Sequence, residues 1–295
     1  MLSVTAYFVC GVLAGRVLRE PARISHVLNL WVVNVALPGL ILAKLPALAL
    51  GQEIVVPFAV SWGIVALGAG SVFALARAGE LSRKETGALL LVVPLGNTSF
   101  LGLPVVEALL GRDHIPSALA FDQLGSFLAL ATYGLFVAGR FGSGERGWRP
   151  VVRRLTRFGP FLALLGSIVL RAVDLPAGIH DVLVALGRTV APVGVMSMGM
   201  RFVPRLRFRR AGVIASGLAL KMIMMPAAVL LVAVIAGDPS APAWQSSIVE
   251  AAMPPMVTAG VVGISAGFDE DLIISMVALG TIVALTVMSL VSLVV

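Results

Sequence analysis

Residues 92–111 have the sequence VVPLGNTSFLGLPVVEALLG, an apolar segment that is interrupted near its middle by Pro, Gly and small polar residues. In hydrocarbon, every backbone N–H and C=O group that a broken helix frees must find another partner. Such a break is tolerated only where it is buried in protein or lines a water-filled cavity. Broken helices of this kind hold the cargo of secondary transporters, so the segment predicts an interrupted transmembrane helix with a binding role.

The composition of the whole chain independently predicts a membrane protein. Of its 295 residues, 59% are hydrophobic and only 13% are charged, and the mean hydropathy is +1.01. A transmembrane helix needs about 20 apolar residues, so the sequence predicts an all-α integral membrane protein of ten transmembrane helices. The predicted spans are residues 2–18, 26–47, 54–76, 86–111, 116–139, 158–174, 180–202, 211–236, 246–267 and 271–294. The loops between them are short, and no soluble domain is expected.

The basic residues indicate how these helices are oriented. A net charge of +7 would favour a nucleic-acid partner in a soluble protein, but here the charges lie between apolar runs and no nucleic acid is expected. Most of them fall in the odd-numbered loops: Arg16, Arg19, Arg23, Arg77, Arg83, Lys84, Arg140, Arg146, Arg149, Arg153, Arg154, Arg157, Arg201, Arg205, Arg207, Arg209 and Arg210. The even-numbered loops have little beyond Lys44, Arg112 and Arg171. The positive-inside rule therefore predicts a multi-pass protein of the inner (cytoplasmic) membrane with both termini outside, in the periplasm.

The longest polar stretch divides the chain into two halves of five predicted spans. Residues 1–139 are predicted to form the first five-helix repeat, residues 140–157 a cytoplasmic linker and residues 158–295 the second repeat. Because five is odd, the second half enters the membrane in the opposite orientation, as in an inverted repeat. Similar motifs occur at matching places: NVALP at 34–38 with RTVAP at 188–192, and the break of the fourth span with MPPMVTAG at 253–260 of the ninth.

The two breaks together predict a symmetric binding site near the middle of the membrane. Pro254 and Pro255 remove two consecutive backbone donors, so the ninth span cannot continue through them as a regular helix. If broken helices 4 and 9 cross at one depth, their free N–H ends suit a carboxylate and their carbonyl ends suit a cation. The predicted substrate-binding residues are Gly96, Asn97, Thr98, Ser99, Pro254, Pro255 and Thr258. The alternative is that Pro and Gly merely kink the two helices.

Five of the charged side chains inside the predicted spans are singled out, because a charge costs about 3 kcal/mol at the bilayer centre. These candidates for coupling or charge pairing are Glu107, Asp122, Arg188, Lys221 and Glu250. All except Lys221 lie toward the ends of their helices, from where a side chain is able to reach the interface. Lys221 either pairs with a carboxylate that holds helices together, or serves as a counter-charge for cargo or a substitute for a coupling cation. Asp122 and Gln123 are expected to line the same cavity or relay protons, Arg188 to attract an anion from outside, and Glu250 to direct its carboxylate at the point where the two helices cross.

Several of these motifs resemble the auxin efflux carrier family, in its bacterial form. They are GNTSFLGLP at 96–104 followed by Gly111, NVALP at 34–38, KMIMMP at 221–226 and AMP at 252–254. The resemblance covers nearly the whole chain and implies a fold similar to that of the bile-acid sodium symporters. In that fold, spans 1, 2, 6 and 7 form a support domain, and spans 3–5 and 8–10 form a transport domain that contains the crossed helices 4 and 9. Cargo then moves by an elevator-like displacement of the transport domain.

The same resemblance implies roles for single residues and for partners. Asn97 is expected to contact the substrate directly, and in the bile-acid symporters an acidic group in the half-helix that corresponds to the one containing Glu250 helps to hold sodium. Carriers with a fixed support domain often form homodimers through it. No cofactor and no other metal are expected, because His26, His114 and His180 are scattered without the spacing of metal ligands.

The function expected from the sequence is secondary transport of a small organic anion, such as a mono- or dicarboxylate, by alternating access in efflux or voltage-driven mode. The alternative is a sodium- or proton-coupled symporter of such anions. A channel is less favoured because the spans have no continuous polar stripe, and a membrane-embedded ligand sensor because the chain has no room for an output domain. An enzyme is not expected, since the sequence has no nucleophile–base pair, phosphate-binding loop or metal cluster.

Overall fold

The computed structural model describes residues 2–46, 51–79, 81–142, 159–171, 176–201, 210–236 and 238–294. Throughout these ranges the chain is helical and has no β-strand, which confirms the all-α prediction. Most of the predicted linker 140–157, and with it Arg146, Arg149, Arg153, Arg154 and Arg157, lies outside the described residues. The same holds for Arg205, Arg207 and Arg209.

The first half of the chain contains helices α1 (Leu2–Val17), α2 (Pro21–Trp31), α3 (Leu37–Lys44), α4 (Gln52–Ala78), α5 (Arg83–Val92), α6 (Leu103–Leu110), α7 (Ile115–Ala120) and α8 (Leu135–Phe141). The second half contains α9 (Gly159–Leu170), α10 (Ala177–Gly187), α11 (Val190–Arg201), α12 (Ala211–Ala219), α13 (Met225–Ala236), α14 (Pro242–Ala251), α15 (Val257–Ser265) and α16 (Glu270–Val294). Wider π turns at Val32–Ala36, Thr98–Gly102, Phe121–Phe127, Leu130–Gly134 and Leu220–Met224 connect several of them.

Six helical segments in the described ranges are long and apolar enough to cross a membrane. They are Pro21–Lys44, Glu53–Ala78, Arg112–Phe141, Gly178–Met200, Ala211–Ala236 and Glu270–Met288. Shorter apolar helices occur at Leu2–Val17, Thr98–Leu110 and Gly159–Leu170. The chain is therefore a helical protein with several apolar helices of membrane-spanning length, and the complete ten-helix inverted repeat stays a prediction.

Three of the π turns are explained by a proline that follows them. The turns at Val32–Ala36, Thr98–Gly102 and Leu220–Met224 precede Pro38, Pro104 and Pro226, respectively. Proline has no N–H group, and its ring collides with the carbonyl four residues earlier in a regular α-helix. A π turn adds one residue to the helical turn and thereby absorbs that collision. The helix consequently continues past each proline, although its direction and side-chain register change there.

Glycines bring α1 and α11 into unusually close contact. A β-carbon at Gly11 would lie 2.2 Å from the carbonyl oxygen of Met196, and one at Gly199 would lie 2.3 Å from that of Phe8. Gly15 approaches the backbone of Met200 in the same way. Small residues at an interface let two membrane helices pack backbone against backbone. These two helices, which belong to opposite halves of the chain, therefore form one rigid pair.

Helix α5 is buried on all sides, since every residue from Glu85 to Val92 is buried. A helix that is apolar and buried around its whole circumference lies in the interior of a protein. The Tyr133 hydroxyl donates a hydrogen bond to the carbonyl of Leu90, at 2.8 Å. The break that follows α5 is therefore buried in protein, which is the condition under which a membrane helix can be interrupted.

Candidate functional site

The two interrupted segments that the sequence predicts are both present, and they meet. Helix α5 ends at Val92 and α14 ends at Ala251, and each is followed by a short extended segment. The Asn97 N–H group donates to the carbonyl of Pro254 at 2.8 Å, and the Met256 N–H group donates to that of Leu95 at 2.9 Å. These bonds form an isolated antiparallel β-bridge that pairs Gly96 with Pro255.

This bridge explains how the chain accepts two breaks in an apolar environment. Backbone groups that lose their helical partners cost several kcal/mol each in hydrocarbon, on the order of a lost hydrogen bond or more. Here each break supplies the donor that the other one needs, and the two prolines have no donor to satisfy. We call the residues 93–97 and 252–256 the crossing from here on.

Lys221 places its positive charge at the crossing. The side chain is 1% exposed, and its Nζ donates to the carbonyl of Ala251 at 3.3 Å. Ala251 is the last residue of α14, where the helix dipole concentrates partial negative charge. A β-carbon at Gly96 would lie only 2.9 Å from Nζ. The ammonium group is thus held between the C-terminal end of one half-helix and the backbone of the opposite break.

Glu250 is the least satisfied polar group at the crossing. Its side chain is fully buried, and neither carboxylate oxygen has a hydrogen-bond partner within the described part of the chain. The carboxylate lies against Gly102, where a β-carbon would come within 1.9 Å of Oε2. Lys221 and Asp122 are both near enough to interact with it electrostatically. A buried charge without hydrogen bonds is costly, and Lys221 is a cation that lies near this carboxylate.

The Asp122 carboxylate binds the hydroxyl groups of Thr98 and Ser99, two residues that the sequence predicts to bind substrate. This carboxylate is buried and accepts hydrogen bonds from Thr98 and from the Ser99 hydroxyl at 2.6 and 2.7 Å. The Gln123 amide donates a further bond of 2.6 Å to the same carboxylate. Thr98 and Ser99 open the π turn that leads into α6, where partial positive charge favours an anion. In this conformation that position is therefore filled by a carboxylate of the chain itself.

Asn97 faces away from these charges, toward α11. The side chain is 2% exposed, and its amide Nδ2 contacts the sulfur of Met198 at 3.3 Å. Met198 lines a cavity of about 220 Å³ between α2 and α11 on one side and α15 and α16 on the other. Asn29 and Ser197 provide polar groups in the wall of this cavity, and the Ser197 hydroxyl donates to Asn29 Oδ1 at 2.5 Å. The amide of Asn97 is thus bonded to a weak acceptor, and that acceptor belongs to a residue that lines the cavity.

Other predicted residues lie apart from the crossing. Thr258 is exposed at the start of α15. Glu107 forms an ion pair with Arg112, with 3.0 Å between Oε1 and Nε, and Arg188 is exposed at the kink between α10 and α11. The structure therefore brings together Gly96, Asn97, Thr98, Ser99, Asp122, Lys221, Glu250, Pro254 and Pro255, and places Thr258, Glu107 and Arg188 elsewhere.

Reasoning from the sequence missed two contributors to this site, Gly102 and Met198. Gly102 makes room for the Glu250 carboxylate, and its presence as the second glycine of GNTSFLG was a signal that a close approach was required. Gln123, which was expected beside Asp122 as a cavity-lining or proton-relay residue, donates a hydrogen bond to the Asp122 carboxylate. Met198 lies in an apolar helix and gives no signal in the sequence. Across the described ranges, no group of three or more His, Cys, Asp and Glu side chains is arranged to hold a metal ion.

Comparison with known proteins identifies the family. A sequence model for a family described as membrane transport protein matches residues 9–145 and 148–292, which is nearly the whole chain. The chain belongs to this membrane transport protein family. The predicted membership of the auxin efflux carrier family is thereby confirmed.

Two relatives of this membrane transport protein come from methanogenic archaea. An uncharacterized transporter of Methanothermobacter thermautotrophicus is 29% identical over 269 residues, which cover 88% of this chain and 86% of the relative. An uncharacterized transporter of Methanocaldococcus jannaschii is 29% identical over 218 residues, which cover 72% of this chain and 69% of the relative. The membership and the apolar helices make the chain a multi-pass membrane protein of a transporter family.

Proposed function

We propose that this membrane transport protein is a carrier for a small organic anion, such as a mono- or dicarboxylate, and works by alternating access around the crossing. The observation that carries the proposal is the position of Asn97, whose backbone closes the bridge between the two breaks while its side-chain amide contacts Met198, a residue in the wall of a cavity. Its present acceptor is a thioether sulfur, which is a weak one. A carboxylate oxygen accepts a stronger, charge-assisted hydrogen bond and is expected to replace it.

The charge at the crossing supports an anionic cargo. Lys221 is buried beside Gly96, the residue that precedes Asn97. In a region of low dielectric constant, a buried ammonium group attracts an anion more strongly than it does in water. Binding of an organic anion near Asn97 therefore gains from the charge of Lys221 when Glu250 is protonated or has bound a cation, because the two carboxylates then no longer outweigh the ammonium group.

The elevator-like mechanism is part of the proposal. The closely packed pair α1 and α11, together with α2, α3, α9 and α10, is the proposed support domain, and the remaining helices form the proposed transport domain. The contact between Asn97 and Met198 lies between these two groups of helices, so cargo held there is exposed to one side or the other when they slide. The arginine-rich odd-numbered loops support an arrangement with both termini outside the cytoplasmic membrane.

The test is the variant Asn97→Ala in protein reconstituted into vesicles and supplied with a panel of labelled mono- and dicarboxylates. Loss of a hydrogen bond to a charged group costs about 1.5–3 kcal/mol, so transport of the preferred anion is expected to fall about tenfold or more. The matched control is Asn34→Ala, because Asn34 is exposed and its amide bonds only to the carbonyl of Leu30 within its own helix. A variant that folds normally and transports every anion at the wild-type rate would refute the proposed site.

A sodium- or proton-coupled symporter is the second candidate, and the Glu250 carboxylate favours it. The buried carboxylate of Glu250 lies near a second buried carboxylate, Asp122, and near one buried ammonium group, Lys221, so the cluster has an excess negative charge when all three are ionised. A proton or a sodium ion on Glu250 would remove that excess and would give its carboxylate a partner. Transport of the anion would then be coupled to the cation, because moving the charged cluster without the cation costs more free energy.

A further inference from the structure

A second cluster of charges surrounds a cavity of about 90 Å³, away from the crossing. Lys44 at the end of α3, Arg112 after α6 and Arg188 between α10 and α11 contribute three cations to its lining, and Glu107 contributes one anion. We propose that this cavity is a binding site for an oxyanionic group, a carboxylate or a phosphate, distinct from the site at the crossing. We call it the outer basic pocket.

The balance of charges in the outer basic pocket favours an anion. Glu107 is already neutralised by Arg112, with 3.0 Å between the paired atoms. Neither Lys44 nor Arg188 has an ion-pair partner within the part of the chain that the structure describes. The pocket therefore has two positive charges that the described side chains do not compensate, which matches a dicarboxylate or a phosphate group.

The walls of the pocket distinguish it from an ordinary solvated surface. Leu103, Ile115 and Val190 line it and are themselves buried, and Lys44 is half-buried. Apolar walls lower the local dielectric constant and so strengthen the attraction between a cation and an anion. One water molecule needs about 10–15 Å³ of such space. The cavity of about 90 Å³ therefore has room for several water molecules or for a small anionic group.

The pocket also lies across a boundary between helices. Lys44 and Arg188 come from the proposed support helices, whereas Arg112 and Leu103 come from the segment that contains α6. It shares no residue with the crossing, so this inference stands even if Asn97 binds no cargo. An anion that bridges the two groups of helices stabilises the arrangement in which they are close together.

The experiment measures equilibrium binding of labelled succinate and of labelled inorganic phosphate to purified protein at constant ionic strength, which fixes charge screening. It is done in an Asn97→Ala background, so that the crossing does not contribute. Lys44→Gln with Arg188→Gln is expected to raise the Kd for both probes about tenfold or more, since each lost cation removes charge-assisted hydrogen bonds. The charge-conserving pair Lys44→Arg with Arg188→Lys is expected to bind both probes.

The matched control is Lys84→Gln with Arg171→Gln, which removes the same net charge from exposed positions outside the pocket. Binding that is absent in the Asn97→Ala background, or that falls equally in the control, overturns the proposal. Protein in nanodiscs tests whether the oxyanion comes from a lipid. If phosphatidylglycerol raises the Tm relative to pure phosphatidylcholine only while Lys44 and Arg188 are present, the oxyanion is a lipid headgroup. If lipid composition has no effect while succinate binds, the ligand is a free anion.

Discussion

Two glycines of the fourth span allow charged side chains to lie directly against its backbone. Gly96 faces the ammonium group of Lys221, and Gly102 faces the carboxylate of Glu250. A β-carbon at either position would come closer than ordinary van der Waals contact, at 2.9 Å and 1.9 Å. Glycine is thus needed at both positions of GNTSFLG because the buried charged groups leave no room for a side chain there, and not only because the chain turns.

At the scale of a single residue, the variant Glu250→Gln tests whether transport is coupled to a cation. Glutamine has nearly the same shape but does not titrate and does not compensate a cation. If the carrier is a coupled symporter, transport by the wild type is stimulated by an inward proton or sodium gradient, and the variant loses this stimulation while it still transports the anion. The measurement is initial uptake into vesicles with and without each gradient.

The control for this prediction is Glu53→Gln, because Glu53 is exposed at the start of α4. It is expected to respond to the gradients as the wild type does. If Glu250→Gln retains the full response, the carboxylate has no part in coupling, and its unpartnered oxygens are explained by the local fold alone.

Among the helices, the pair α1 and α11 depends most strongly on side-chain size. Gly11 and Gly199 oppose each other, and the α-carbon of Gly199 would be 2.9 Å from a β-carbon at Gly11. No flexible side chain lies between the two backbones, so an added methyl group cannot be accommodated by rotation. The helices would have to separate along their whole contact.

We therefore predict that Gly11→Ala destabilises the folded protein by about 1–3 kcal/mol, the usual cost of overpacking. The matched control is Gly70→Ala, because an added β-carbon at Gly70 in α4 has no atom within 4 Å. The measurement is the midpoint of thermal unfolding in detergent. Equal midpoints for the two variants would mean that α1 and α11 are not held together by this contact.

At the scale of the whole molecule, an ion pair joins the two halves of the chain at the start of α5. Glu85, which precedes the predicted fourth span, pairs with Arg210, with 2.7 Å between Oε1 and Nε. Ser82 and Glu85 also form a capping box at the start of α5. Burial raises the pKa of Glu85, but the hydrogen bonds from Ser82 and the charge of Arg210 outweigh burial and hold the pKa below its ordinary value of 4.5.

The lowered pKa predicts how stability depends on acid. A carboxylate whose pKa is lower in the folded state stabilises that state above its unfolded pKa, and the contribution is lost as the pH falls through the folded pKa. Glu85→Gln is therefore expected to lower the Tm at neutral pH, and the difference from wild type should shrink as the pH falls below 4.5 and vanish below the pKa of Glu85 in the folded state. The measurement is thermal unfolding over this pH range, with Glu270→Gln, at an exposed position in the first turn of α16, as the control. A difference that persists unchanged in acid would contradict the prediction.

The sequence by itself determined the class of the protein, the positions of both breaks and the family. These properties follow from local composition, because an apolar run of sufficient length favours the membrane, and because consecutive prolines and glycines interrupt a helix wherever it lies. The residues predicted at the breaks, Gly96, Asn97, Pro254 and Pro255, do meet at one bridge.

Only the tertiary structure decided which groups become partners there. The Asp122 carboxylate accepts hydrogen bonds from the hydroxyls of Thr98 and Ser99, and the Lys221 ammonium group donates to the last residue of α14. Thr258 is exposed. The reason is that a side chain's direction around a helix axis depends on each π turn that precedes it, and its partner depends on which helices are neighbours. Neither is a property of the local sequence, since both are set by the packing of residues far apart in the chain.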